Sequence, residues 1–241
     1  MLIALKSIKT AIILATDGDI GHVDQFLFDD DKWLVRYIVV KTHWLSGKKV
    51  LVPPSAVKSV DVDLNSIQLS LTKKKVEESP DVDTDRPISS QMETRYIDYY
   101  QLPYYSLGSD IWGMSERPTS MLGQPHPVPP RQREVAPYFS EEDGDPHLRS
   151  AHVVEGYRID SQGDLFGRVD DFIINREDWK ICSLVIDLHR LWPGKSVLIS
   201  PHQVASIRWS DRTVGVNLTQ DQIKNLPEYN WDLPLDWAEG A

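Results

Sequence analysis

The chain has 241 residues, one cysteine, and 26 basic against 36 acidic side chains, for a formal net charge of -10. That length suits one large domain or two small ones, and a 41% hydrophobic content supplies a real core. The acidic balance disfavours nucleic acid and anionic membrane surfaces, whose phosphates call for Lys and Arg, and a lone cysteine excludes an internal disulfide.

Met1 to Lys6 is too short for the apolar stretch of a signal segment, and Ala11 to Ala15 runs straight into a turn at Thr16-Asp17-Gly18. No run approaches the roughly 18–20 apolar residues of a membrane span. A soluble, cytoplasmic protein is therefore expected.

In chain order, a Gly/Asp turn at Asp17-Gly18-Asp19 leads into a strand from Gly21 to Phe28. A polar turn follows at Asp29 to Lys32. Trp33 to Val40 is apolar on nearly both faces and reads as a covered central strand. Lys49 to Val52 gives the next strand, ended by Pro54. Ile67, Leu69 and Leu71 alternate with polar residues, the period of a half-buried strand. Thr72 then caps a short helical turn that Pro80 stops.

The same series recurs. Residues 10–80 lie over 154–227 with two small gaps, both in Gly-containing stretches. Gly18, Asp19, Gly21, Asp24 and Phe26 meet Gly163, Asp164, Gly167, Asp170 and Phe172. Trp33 meets Trp179, His43 meets His189, and Gly47-Lys48 meets Gly194-Lys195. Pro54 and Pro80 meet Pro201 and Pro227. Thr219-x-x-Gln222 fits a capping box, whereas Thr72-x-x-Lys75 does not. Five or six short strands in each copy predict a mainly β protein, with two small antiparallel β-barrels joined by a long Tyr- and Pro-rich connector. The expected boundaries are 1–80 and 151–229 for the copies, 81–150 for the connector and 230–241 for an aromatic acidic tail.

These blocks resemble the PRC-barrel domain. The carrying residues are Gly18-Asp19-Ile20-Gly21-His22-Val23-Asp24-Gln25-Phe26, Trp33, Val39-Val40 and Gly47 to Pro54 in the first copy. Gly167 to Phe172, Trp179, Val185-Ile186 and Gly194 to Pro201 carry it in the second. That family includes the cytoplasmic domain of the photosynthetic reaction-centre H subunit and the C-terminal domain of a ribosome-maturation factor. The resemblance implies a bent antiparallel barrel in each copy, used for binding or scaffolding rather than catalysis. Ribosome or RNA assembly, and a proton- or electron-transfer accessory role, are the alternatives it raises. Fold alone does not choose among them.

No catalytic, cofactor or metal site is expected. Gly18-x-x-Gly21 lacks the Gly-Lys-Ser/Thr of a phosphate loop, no Gly-x-Ser-x-Gly appears, and the seven histidines lack zinc-site spacing. Cys182, within an apolar run, reads as a small hydrophobe. Gly18, Asp19, Gly21, Asp24, Gly163, Asp164, Gly167 and Asp170 read as fold-specifying. Asp24 and Asp170 also pose a choice between a solvated strand face and an acid whose pKa burial has raised.

Partner contact is expected from the unrepeated segments. Tyr96, Tyr99, Tyr100, Tyr104 and Tyr105 put five of the nine tyrosines within ten residues, with Trp112 close behind. Such a segment is too aromatic for a free linker. Two readings compete: the rings complete a core, or they form an exposed platform for a protein partner. Trp231 and Trp237 in the tail pose the same choice. A homo-oligomer is left open, and the partner's identity is not legible.

Overall fold

Strands form where the alternating patterns lie. In the computed structural model, which describes residues 1–43, 47–80, 99–100, 147–188 and 194–230, the protein is mainly β. β1 (Leu2–Ala4), β2 (Ile12–Ala15), β3 (Gly18–Asp29), β4 (Leu34–Thr42), β5 (Lys49–Val52), β6 (Val57–Asp61) and β7 (Ser66–Leu69) precede helix α1 (Lys73–Glu77). β8 (Leu148–Ser150) and α2 (Ala151–Val154) open the later series. It continues through β9 (Arg158–Ser161), β10 (Asp164–Phe166), β11 (Arg168–Asn175), β12 (Ile181–Asp187), β13 (Ser196–Ile199), β14 (Val204–Arg208) and β15 (Thr213–Val216) to α3 (Gln220–Lys224).

The chain divides into two compact units, and neither is one continuous stretch. The first holds Ile8–Leu27 and Arg36–Leu148; the second holds Met1–Ser7, Phe28–Val35 and Arg149–Ala241. The boundaries fall inside β3 and β4, whose ends at the β3–β4 turn belong to the second unit.

In the first unit the strand order is β5-β4-β3-β2-β7-β6. β2 pairs antiparallel with β3 and parallel with β7, with Ile12 opposite Ser66 and Ile13 opposite Ile67. β6 carries a bulge between Val57 and Ser59. Ile8, Ile13, Ile20, Tyr37, Leu51, Ile67 and Val76 are fully buried and form the core. In the second unit two four-stranded sheets form, β1-β11-β12-β13 and β10-β9-β15-β14. β9 is parallel to β15, with Arg158 opposite Thr213 and Ile159 opposite Val214, and β14 is bulged between Val204 and Ser206.

Two expectations need correction. Among the described residues the sheets do not close into barrels, and each unit contains a parallel pair. Alternation of side chains reports which face is buried, not the direction of the neighbouring strand. Closure is interrupted where the ladder loses its donors or its conformation. Pro54 and Pro201 lack an N–H and start 3-10 turns at Pro54–Ala56 and Pro201–Gln203. Gly167, at φ +50°, separates β10 from β11. The second correction concerns Trp33 and Trp179, expected to open strands. Both close the preceding turn in the left-handed region, at φ +54° and +62°, a conformation that costs a bulky residue of order 1 kcal/mol or more. The Asp29 carboxylate bends the first turn, accepting from Asp31 N and Lys32 N at 3.0 and 2.9 Å; Asn175 Oδ1 accepts from Glu177 N at 3.1 Å in the second.

Two repeated features have a clear physical cause. A Cβ at Gly21 would lie 2.1 Å from the Lys41 carbonyl oxygen, and one at Gly167 would lie 2.9 Å from that of Asp187. Only glycine permits that approach. Lys48 Nζ donates to the carbonyls of Glu77 and Ser79 at 3.2 and 2.7 Å, at the end of α1. Its counterpart Lys195 donates to Lys224 O at the end of α3. A cation placed on orphan carbonyls also meets the negative end of the helix dipole. At the other helix ends, Thr72 and Thr219 cap through their hydroxyls, and only Thr219 completes the box with Gln222.

Candidate partner-binding site

In the first unit the turn between β6 and β7 is built by Asp61, whose Oδ1 accepts from Leu64 N at 2.9 Å, and by Asn65 at φ +45°. This geometry points Leu64 outward at 72% exposure, beside the partly exposed Val62. In the second unit the corresponding turn between β14 and β15 ends in Arg212 at φ +52° and carries Trp209 at 68% exposure. Scattered apolar side chains are ordinary on surfaces. A tryptophan at a turn tip is less so, because its large apolar area has a hydration cost that a partner would remove. Arg208 beside it bonds the Asp160 carboxylate and donates from Nε to Thr213 Oγ1 at 3.2 Å. Asp160 is held below the usual carboxylate range, first by the Gly163 N–H and then by Arg208.

Of the connector aromatics, Tyr99 and Tyr100 are described, and both pack in the first unit. Tyr99 OH donates to Lys75 O at 2.6 Å, while Lys75 Nζ donates to Tyr99 O at 3.2 Å and stands 3.9 Å from the Tyr99 ring centre. That cation–π contact adds to the two hydrogen bonds. Tyr100 meets Tyr99 edge-on at 5.0 Å and is buried. Burial raises the pKa of both phenols. Tyr100 therefore packs into the core, while Tyr99 stays half-buried on α1. Tyr96, Tyr104, Tyr105, Trp112, Trp231 and Trp237 lie outside the described residues.

The repeated acids are bound to lysines. Asp24 pairs with Lys49 at 3.1 Å in the first unit, and Asp170 with Lys6 at 2.5 Å in the second. Asp19 Oδ1 accepts from Gly21 N at 2.9 Å and lies 3.4 Å from His43 Nε2; the His22 ring centre is 6.1 Å from that of His43. Gly18 opens β3 and Gly163 sits in its turn, both with positive φ, and Asp164 begins β10 with an exposed side chain. Among the described residues, no group of three or more His, Cys, Asp or Glu is placed to hold a metal ion.

The residue with unusual electrostatics is Asp171, the neighbour of the acid singled out from the sequence. Its side chain is fully buried. Oδ1 accepts from Phe172 N at 2.7 Å and Lys6 N at 3.1 Å, and Oδ2 from Lys6 N at 3.3 Å. Desolvation outweighs these donors and pushes its pKa up to about 7. Asp170 and Asp171 fall on opposite faces of β11, the first half-buried and the second buried, beside a register shift between Val169 and Asp171. The dipeptide Asp170-Asp171 in a strand was the available signal, since strict alternation buries one of two neighbours.

The family model of the PRC-barrel domain matches residues 4–76. This stretch is a PRC-barrel domain. The match runs from the last residue of β1 through most of α1, so its residues are divided between the two units. No curated protein matches the chain significantly.

Proposed function

We propose that this PRC-barrel protein is a non-enzymatic adaptor that binds a protein partner in the cytoplasm through exposed apolar turn tips and connector aromatics. The observation that carries this reading is the pair of equivalent turns presenting Leu64 and Trp209. Hydrophobic and aromatic anchors at exposed positions are what interfaces use. Among the described residues, no helix is long and apolar enough to cross a membrane.

The reading includes a second copy of the PRC-barrel module over residues 151–229. Its support is the shared element order, the two parallel pairs, the equivalent bulges at Ser59 and Ser206, and the paired lysines at the helix ends. A proton-carrying accessory role finds its one specific support in Asp171, whose pKa is near neutrality.

The test is affinity capture with mass spectrometry. Wild type is compared with Leu64→Ser/Trp209→Ser and with Tyr104→Ala/Tyr105→Ala/Trp112→Ala, each shown folded by circular dichroism. Loss of a specific partner from a folded variant is expected. Identical partner sets in all three proteins, or reproducible turnover of a small substrate, would overturn the adaptor reading.

A further inference from the structure

The second unit is assembled from three separated stretches of chain. β1 pairs antiparallel with β11, with Leu2 opposite Asn175, Ile3 opposite Ile174 and Ala4 opposite Ile173. Leu2 and Tyr229 pack with Ile173 and Val185 in one cluster. Lys6 is fastened twice, its N–H on Asp171 and its ammonium on Asp170. β8 in turn pairs with β3, and Arg149 Nε donates to Asp30 Oδ2 at 2.6 Å.

The turn from Phe28 to Val35 adds a second contact. Ile181 N donates to Trp33 O at 2.8 Å, and Val35 N donates to Trp179 O at 3.0 Å, on either side of an antiparallel bridge between Leu34 and Lys180. Phe28 meets Phe172 with ring centres 5.3 Å apart. The repeat aligns Trp33 with Trp179, Leu34 with Lys180 and Val35 with Ile181. Each of the two hydrogen bonds is therefore the other with the copies exchanged. The bridged pair maps onto itself. The first strands are exchanged as well, β1 onto β11 and β8 onto β3. Such reciprocity is the mark of an isologous contact about a twofold axis. It also accounts for two tryptophans held at positive φ, since both offer their carbonyls to this bridge.

We infer that the paired hairpin turns and exchanged first strands form an isologous interface, so that the partner this surface recognises is a second copy of the same module. The chain carries that copy within itself, and the interface rather than the connector holds the two together. The inference rests on the tandem reading above, while partner capture through Leu64 and Trp209 is a separate measurement.

The test uses the whole chain with a specific protease site inserted between Gly123 and Gln124. After cleavage, the two fragments are expected to co-elute one-to-one at the size of the uncut protein and to separate only in denaturant. A second variant, Leu34→Cys/Lys180→Cys with Cys182→Ser, reads the register. The bridge between these positions is of the non-hydrogen-bonded type, whose Cα atoms lie about 4.5 Å apart, within disulfide range. Mild oxidation of the native chain is expected to link the fragments covalently. Fragments that separate in native buffer overturn the inference, as does a folded double-cysteine variant whose thiols stay reduced. If separated fragments keep their β-sheet spectra, the interface fails while the tandem reading stands.

Discussion

Substituting Asp171→Asn isolates the cost of a buried carboxylate. The folded-state pKa of about 7 lies above the ordinary value of 3.8. Below both values the group is protonated in folded and unfolded chains and contributes no pH dependence. Between them the unfolded chain has released the proton and the folded chain still holds it, so the folded state loses ground as pH rises. The slope is about 1.4 kcal/mol per pH unit, and it levels off once pH passes the folded pKa. Integrated, the loss is at most about 4 kcal/mol. Asparagine keeps an oxygen that can accept from Lys6 N and Phe172 N and removes the charge. The variant is therefore expected to gain on wild type as pH rises from 4 to 7, reaching roughly 2–4 kcal/mol and then staying constant. Thermal melts of both proteins at half-unit pH steps measure the difference, from which the titrations of all other groups cancel. A shift of several degrees in Tm is expected at pH 8. A difference that is flat with pH would refute the claim that desolvation controls this group. Asp171→Ala discards both acceptors and is expected to destabilise at every pH.

Gly21→Ala should destabilise by more than about 3 kcal/mol, because the new methyl collides with the Lys41 carbonyl. Gly163→Ala has no atom within 4 Å and should cost only about 1 kcal/mol, from its positive φ alone; urea titrations of the pair check both. Lys48→Met and Lys195→Met should each cost about 1 kcal/mol by uncovering helix-end carbonyls, and amide exchange should quicken first in α1 and α3 respectively. Tyr100→Ala should cost about 3–5 kcal/mol as a buried ring is lost, whereas Tyr99→Phe, which gives up one hydrogen bond, should cost about 1 kcal/mol. A chemical melt of each variant separates the two magnitudes.

The features legible along the chain are local or repeated. Strand positions follow from side-chain alternation, helix caps from Thr72 and Thr219, and the close-approach glycines from their recurrence at Gly21 and Gly167. Such signals lie within a few residues of what they control. Tertiary structure alone decided who pairs with whom. Alternation says that Ile67 and Leu69 share a buried face, but not that β7 runs parallel to β2. It marks Leu2 and Ile3 as apolar, but not that β1 lies on β11, more than 160 residues away. Asp171 is the sharpest case. A strand acid looks like any other until the folded sheet turns it inward and the distant Lys6 segment meets it, and burial then does more to its proton than any neighbour in sequence. Strand partners and desolvation both depend on groups that meet only when the chain is folded, and that is why they could not be read along it.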